Sequence, residues 1–308
     1  MPWLRPDLAR VAAIWLAIGL MLVFLFWIVG SEDGIRPSGV PLAADFTAFW
    51  TAAREALAGR PGAADDPAVL HPAQVAAFGG RDFGYLGFFY PPGFLLALQP
   101  FGLLPREAAA LLFLALTGAA YVLAVRPLLP KGAPWAALIA YPGVLICLDY
   151  GQNGMLSAAL LGAGVVLLDR RPVLAGICFG LLSYKPQLGP FIPVALARAG
   201  RWRCFGAAAA TAIGLEALAT LAFGASIWQA FLAGTALARE HLEGEPDYTR
   251  FASLFAAARL LGVPAPLAHG AQLLASTLPA LLAVALVARR RPGGRAEGAV
   301  LVAAIPLA

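Results

Sequence analysis

The sequence predicts an all-α polytopic membrane protein with about nine transmembrane helices, and three observations carry that expectation. Of 308 residues, 60% are hydrophobic and only 13% charged, where a soluble globular domain carries about 25% charged residues. Mean hydropathy is +0.77. The apolar residues gather in runs that reach or approach the ~20 residues needed to cross a bilayer, and short basic clusters separate those runs.

The runs are residues 11–30, 108–125, 134–148, 155–168, 173–184, 188–197, 205–223, 267–288 and 299 to the end. The first is too long for a signal-peptide core and has no small-residue cleavage site, so it reads as a retained helix. Several middle runs fall short of a full span and imply tilted or discontinuous helices. The last run is cut off by the end of the chain, which suggests a truncated version of a longer protein.

Charge sets the expected orientation. Arg5 and Arg10 precede the first run; Arg126 and Lys131, "DRRP" (169–172), "RAGRWR" (198–203) and "RRRPGGR" (289–295) follow between later ones. All of them fall on one side, the inner side by the positive-inside rule, if segment 88–105 does not cross. That segment, "FFYPPGFLLALQPFGLLP", holds four prolines and reads as interfacial or re-entrant. Two long segments, 31–107 and 224–266, then lie outside. In the first, "ADFTAFWTAAREALAG" (44–59) puts Phe46, Phe49, Trp50, Ala53 and Leu57 on one helical face. This is the pattern of a helix lying on the bilayer surface with Trp50 at headgroup depth.

The net charge of +5 comes without a basic face or a stacking module, so nucleic acid is not an expected partner. Cys147, Cys178 and Cys204 have no metal-ligand or CxxC spacing and read as small buried hydrophobes.

Four polar clusters interrupt the apolar sequence, all on the expected outer side. They are Asp45 with its aromatic helix, "FFYPPG" (88–93), "LDYGQNG" (148–154) and "SYKPQLG" (183–189). Polar groups at membrane depth are costly and usually mark a pathway or a site. Their order, with an Asp-Phe after the first helix, "YPP", "GQNG", "LDRRP", "YKPQ" and "GRW", resembles glycosyltransferase family 87, a branch of the GT-C membrane glycosyltransferases. The resemblance covers almost the whole chain and implies a single GT-C-like membrane domain over 1–308. It also implies transfer of a hexose, most plausibly mannose, from a polyprenyl-phosphate donor to a glycan or glycolipid acceptor at the outer face of the plasma membrane. Family members place a catalytic acid in the first outer loop, which maps by position onto Asp45.

The residue types suit that chemistry. A carboxylate near an acceptor hydroxyl acts as general base, and a cation beside the departing phosphate stabilises its charge. Lys185 is the one lysine among the outer and membrane residues in this topology. Gln152, Asn153, Gln187, Tyr90 and Asp149 supply donors and acceptors for sugar hydroxyls or phosphate. No metal ligands are assigned, and a divalent cation is left open.

Each residue has a plainer reading as well. Asp45 suits a helix N-cap, Asp149 the outer end of its helix, and Lys185 an interfacial anchor. Tyr90 with Pro91 and Pro92 reads as the stiff start of a helix. Asp65 and Asp66 read as a solvated loop and cap before Pro67, Asp82 as a turn residue, and Glu216 as a buried acid with a helix partner. His71 and His269 read as incidental, and His241 as part of a solvated loop. A transporter or flippase would share the hydropathy, but paired halves with interrupted helices are not apparent in the sequence.

Overall fold

The computed structural model describes residues 6–188, 191–244, 248 and 253–290. Regular structure among them is helical, apart from two isolated bridges, Glu32 with Ile35 and Ile35 with Pro41, in the loop after the first helix. Three segments, Arg10–Val29, Arg106–Leu128 and Trp202–Phe223, are long and apolar enough to cross a membrane. Of the remaining predicted runs, 267–288 lies within a helix of 26 residues, Ala265–Arg290, the others give shorter helices, and 299–308 lies outside the described residues. The chain forms two compact units, residues 1–162 with 219–231 and residues 163–218 with 232–308.

The first unit opens with α1 (Pro6–Val29), followed by α2 (Ala44–Leu57), α3 (Pro67–Ala77), α4 (Pro92–Gly102) and α5 (Arg106–Val125). Then come α6 (Ala136–Ile139), α7 (Pro142–Tyr150) and most of α8 (Gly154–Leu167). Run 134–148 is split because Pro142 starts a new helix; proline cannot continue the hydrogen-bond ladder and disfavours helical geometry before it. α1 is almost wholly uncovered by protein, as a lipid-facing helix would be. Its first turns are tied by Arg10 Nη2 to the carbonyl of Gly132, 3.2 Å away. At its other end Trp27 lies under the guanidinium of Arg36, 5.5 Å from the ring centre.

The aromatic stripe of α2 corrects the expectation of a helix lying on the bilayer. Phe46 and Phe49 are 0% and 2% exposed, and Ala53 is fully buried. They pack inside the protein, Phe46 against Phe113 (ring centres 5.2 Å apart) and Phe49 against Phe94 (5.5 Å). The covering element is α4. A Cβ on its Gly102 would lie 2.9 Å from Leu57 and 3.1 Å from Ala53, so glycine permits the close crossing. Trp50 is fixed to protein too, its Nε1 donating to the Leu104 carbonyl at 2.9 Å. Only Leu57 of the stripe is exposed. The 11 residues of α4 extend about 16 Å, too short for a bilayer core of ~30 Å.

The second unit contains α9 (Pro172–Leu181), α10 (Phe191–Arg198), most of α11 (Trp202–Phe223) and of α12 (Ile227–Gly244), α13 (Leu254–Leu260) and α14 (Ala265–Arg290). In α9, Gly176 and Gly180 sit four residues apart against α11. A Cβ on Gly176 would collide with the Cys204 carbonyl and lie 2.6 Å from Ala207. One on Gly180 would lie 2.5 Å from the Ala208 carbonyl. This is the small-residue spacing by which membrane helices bring their backbones together. α10 packs on α14, and α13, capped by Ser253 Oγ accepting from Ala256 N at 3.1 Å, closes a cluster of Tyr248, Phe255, Ala256 and Ala268.

Candidate functional site

The site begins with two backbone turns. Ala43, at φ 52°, ψ 44°, precedes α2 in the left-handed conformation and provides no side-chain cap. Asp45 therefore sits inside the first helical turn and is not its N-cap, which removes the capping reading. The helix dipole still favours a negative charge there. The second turn is Gly151, which ends α7 at φ 67°. A Cβ at Gly151 would lie 2.5 Å from that of Phe46 and 3.0 Å from that of Ala43. Glycine here both turns the chain and lets it rest on the start of α2.

That contact delivers the next two side chains of "GQNG". Gln152 Nε2 donates to Asp45 Oδ2 at 2.6 Å, while its carbonyl oxygen accepts from the backbone N–H of Asn153 at 3.1 Å. The buried Asn153 lies beside the hydroxyl of Tyr90. Burial pushes that hydroxyl up to about 12; Asn153 opposes the shift and the nearby Asp45 charge adds to it. Tyr90 thus keeps its proton at neutral pH. Gly154 completes the motif: a Cβ there would lie 2.8 Å from Cys147 Sγ.

Tyr90 is placed by a strip, residues 81–91, without regular structure. Gln74, buried on α3, holds this strip as a neighbouring strand would. Its Nε2 donates to the Leu86 carbonyl at 2.6 Å, and its Oε1 accepts from Leu86 N at 3.0 Å. Pro92 then begins α4, so the proline pair does start a helix, as expected. Gln74 was not foreseen, since one glutamine in an apolar helix carries no pattern.

Asp149 is 2% exposed and faces Arg36, itself 9% exposed. Arg36 Nη1 donates to Asp149 Oδ2 at 2.9 Å, and the backbone carbonyl of Asp149 accepts from Ala43 N at 2.9 Å. Arg36 was also not foreseen. Among the expected site residues, Asp45, Gln152, Asn153, Tyr90 and Asp149 are brought together in the first unit.

Lys185 and Gln187 belong to the second unit, where short 3₁₀ turns at Leu182–Tyr184 and Pro186–Leu188 flank Lys185. Lys185 is half-buried and Gln187 exposed. Beside them lies a cavity of about 290 Å³ lined by Phe179, Leu182, Ser183, Pro186, Ile192 and Phe205, among others.

Asp66, Asp82, His71 and His269 have ordinary partners. Asp66 caps α3 through Ala68 N at 2.9 Å. Asp82 accepts from Gly84 N, as a turn residue should, and pairs with His71 at 2.9 Å. His71 lies in α3. His269 pairs with Glu243 at 3.0 Å. Asp65 departs from the solvated reading: Oδ1 is buried without a hydrogen-bond partner, and burial raises its carboxyl to about 7. The side chain of His241, and Gly189, Glu245 and Asp247, lie outside the described residues.

The first-unit cluster combines a half-buried carboxylate at a helix N-terminus, an amide that donates to it, and a proton-bearing phenol. It can accept a proton from a bound hydroxyl and hydrogen-bond a polyol. Comparison with curated proteins and with solved structures gives no match. The family model for glycosyltransferase family 87 matches residues 88–308, a range that includes Tyr90, Asp149, Gln152, Asn153, Lys185 and Gln187 and begins after Arg36 and Asp45. With most of its length matched in this way, the chain belongs to glycosyltransferase family 87 and is a membrane glycosyltransferase.

Proposed function

We propose that the protein transfers a hexose, mannose by resemblance, from a polyprenyl-phosphate donor to a hydroxyl of a glycan, glycolipid or other acceptor at the outer face of the plasma membrane. The observation that carries this reading is the carboxylate of Asp45 held by Gln152 at 2.6 Å beside Tyr90 and Asn153. In the simplest course Asp45 takes the proton of the acceptor hydroxyl as its oxygen attacks the anomeric carbon. The bond from that carbon to the phosphate oxygen breaks, and the lipid phosphate leaves with the bonding pair. One displacement inverts the anomeric centre.

Gln152, Asn153 and Tyr90 contribute the polar surroundings of the sugar. Lys185 offsets charge on the leaving phosphate, and the apolar cavity beside it suits an isoprenoid chain. The outer-face assignment is supported by α1. Its N-terminal end meets the loop of Lys131 and Gly132, while its other end meets Arg36, beside Asp149. The remaining apolar helices bring the expected number of spans to about nine within one membrane domain, with 31–107 and 224–266 as its outer segments.

Asp45→Asn keeps an acceptor for Gln152 but removes the base. Transfer of labelled sugar from purified polyprenyl-phosphate mannose should fall at least ~10²-fold, the low end for loss of a general base, with the protein still folded and inserted. Near-wild-type transfer by this variant would move the base elsewhere.

A further inference from the structure

We propose that Arg36 is a positioning residue for Asp45, acting through Asp149. This rests on the reading of Asp45 as the base. A guanidinium buried beneath an outer loop is costly unless its donors are occupied, and those of Arg36 are spent on one small region. Nη1 donates to Asp149 Oδ2 at 2.9 Å, Nε to the Val40 carbonyl at 3.4 Å and Nη2 to the Pro41 carbonyl at 3.5 Å. The aromatic faces of Trp27 and Tyr150 lie 5.5 and 5.3 Å from it. The planar fork thus joins the last residues before α2 to the last turn of α7 across 113 residues of sequence.

Both tied segments lead directly into the Asp45–Gln152 bond. On one side the chain runs from Pro41 through Ala43 to Asp45. On the other it runs from Asp149 through Gly151 to Gln152. The bond from Ala43 N to the Asp149 carbonyl, 2.9 Å, forms a second rung beside the ion pair. The close approach of Gly151 to Ala43 and Phe46 forms a third contact between the segments. Asp149 is nearly fully buried, and Oδ1 has no hydrogen-bond partner among the described residues. A carboxylate so enclosed serves the frame of the site better than a sugar hydroxyl. Arg36 and Asp149 together set where the base stands relative to its amide partner.

Misplacing a reactive group by about 1 Å can cost ~10²-fold in rate. Arg36→Met alone strands the Asp149 charge and risks misfolding, so the test adds Arg36→Met/Asp149→Leu, an apolar replacement of the whole pair that buried sites often tolerate. In reconstituted full-length protein, the paired variant should insert and keep its thermal stability while kcat falls ~10–100-fold with donor KM unchanged. Arg36→Lys, which keeps the charge and loses the fork, should fall with it. The same paired change made on Asp45→Asn should have little further effect, since effects routed through one group are not additive.

Wild-type kcat in the stable paired variant would overturn the inference. So would a raised donor KM with kcat intact, full activity in Arg36→Lys, or a loss that multiplies undiminished with that of Asp45→Asn. If Asp45→Asn alone is fully active, the assignment of the base has failed, and that result is read from this variant by itself.

Discussion

Asp45 and Asp65 lie in the same segment but in different surroundings. Asp45 stands in the first turn of α2 and accepts from an amide at 2.6 Å. Asp65 is buried at the end of a 3₁₀ turn, which raises it from 3.8 to about 7. A carboxyl raised on folding binds more protons in the native than in the unfolded state between those two values. Stability therefore falls as pH rises from about 4 to about 7 and then levels. Asp65→Asn should remove this slope, so its melting temperature should exceed that of the parent at pH 8 and match it near pH 4. Thermal unfolding in detergent at several pH values checks this. Asp45, Gln152, Asn153 and Tyr90 were legible in the sequence because polar side chains between apolar runs are conspicuous. Arg36 and Gln74 were not, because one Arg in a polar loop and one Gln in a helix look ordinary until their partners are known.

At the level of elements, the sequence pattern was right about which face of α2 is apolar and wrong about what covers it. A stripe with helical spacing reports only that a face avoids water; lipid and a neighbouring helix satisfy it equally. Here α4, released from spanning by its prolines, supplies the cover. The same limit applies to α9 and α11, where glycine alone tells where backbones meet. Gly176→Ala puts a methyl against the Cys204 carbonyl and Ala207, and should destabilise by about 1–3 kcal/mol, the usual cost of overpacking. Gly206→Ala on α11 meets nothing within 4 Å and should stabilise by about 0.5–1 kcal/mol through helix propensity. Opposite shifts in melting temperature from one and the same substitution would verify the packing.

For the whole molecule, membrane character and helical class were plain from composition, because apolar runs of ~20 residues are long enough to span a bilayer and far longer than a soluble core requires. The division of the shorter runs was not, since composition passes over a local break such as the one that Pro142 makes. The orientation proposed above has a direct check. Ala68 on α3 and Lys131 in the loop after α5 are both exposed. With Cys178 replaced by alanine, Ala68→Cys should react with an impermeant thiol reagent in intact cells, and Lys131→Cys should react only after permeabilisation. The reverse pattern would invert the protein and place the Asp45 cluster on the inner side.

The left-handed turn at Ala43 carries a consequence for engineering. An L-residue with a side chain held at φ 52° forgoes about 1–2 kcal/mol relative to ordinary geometry, and glycine would recover much of that. Ala43→Gly is thus a natural choice for a sturdier protein. Yet it would also loosen the start of α2, whose fixed direction aims Asp45. The expected variant melts later and turns over more slowly, a trade between robustness and activity of the kind found where strain is kept at a working site.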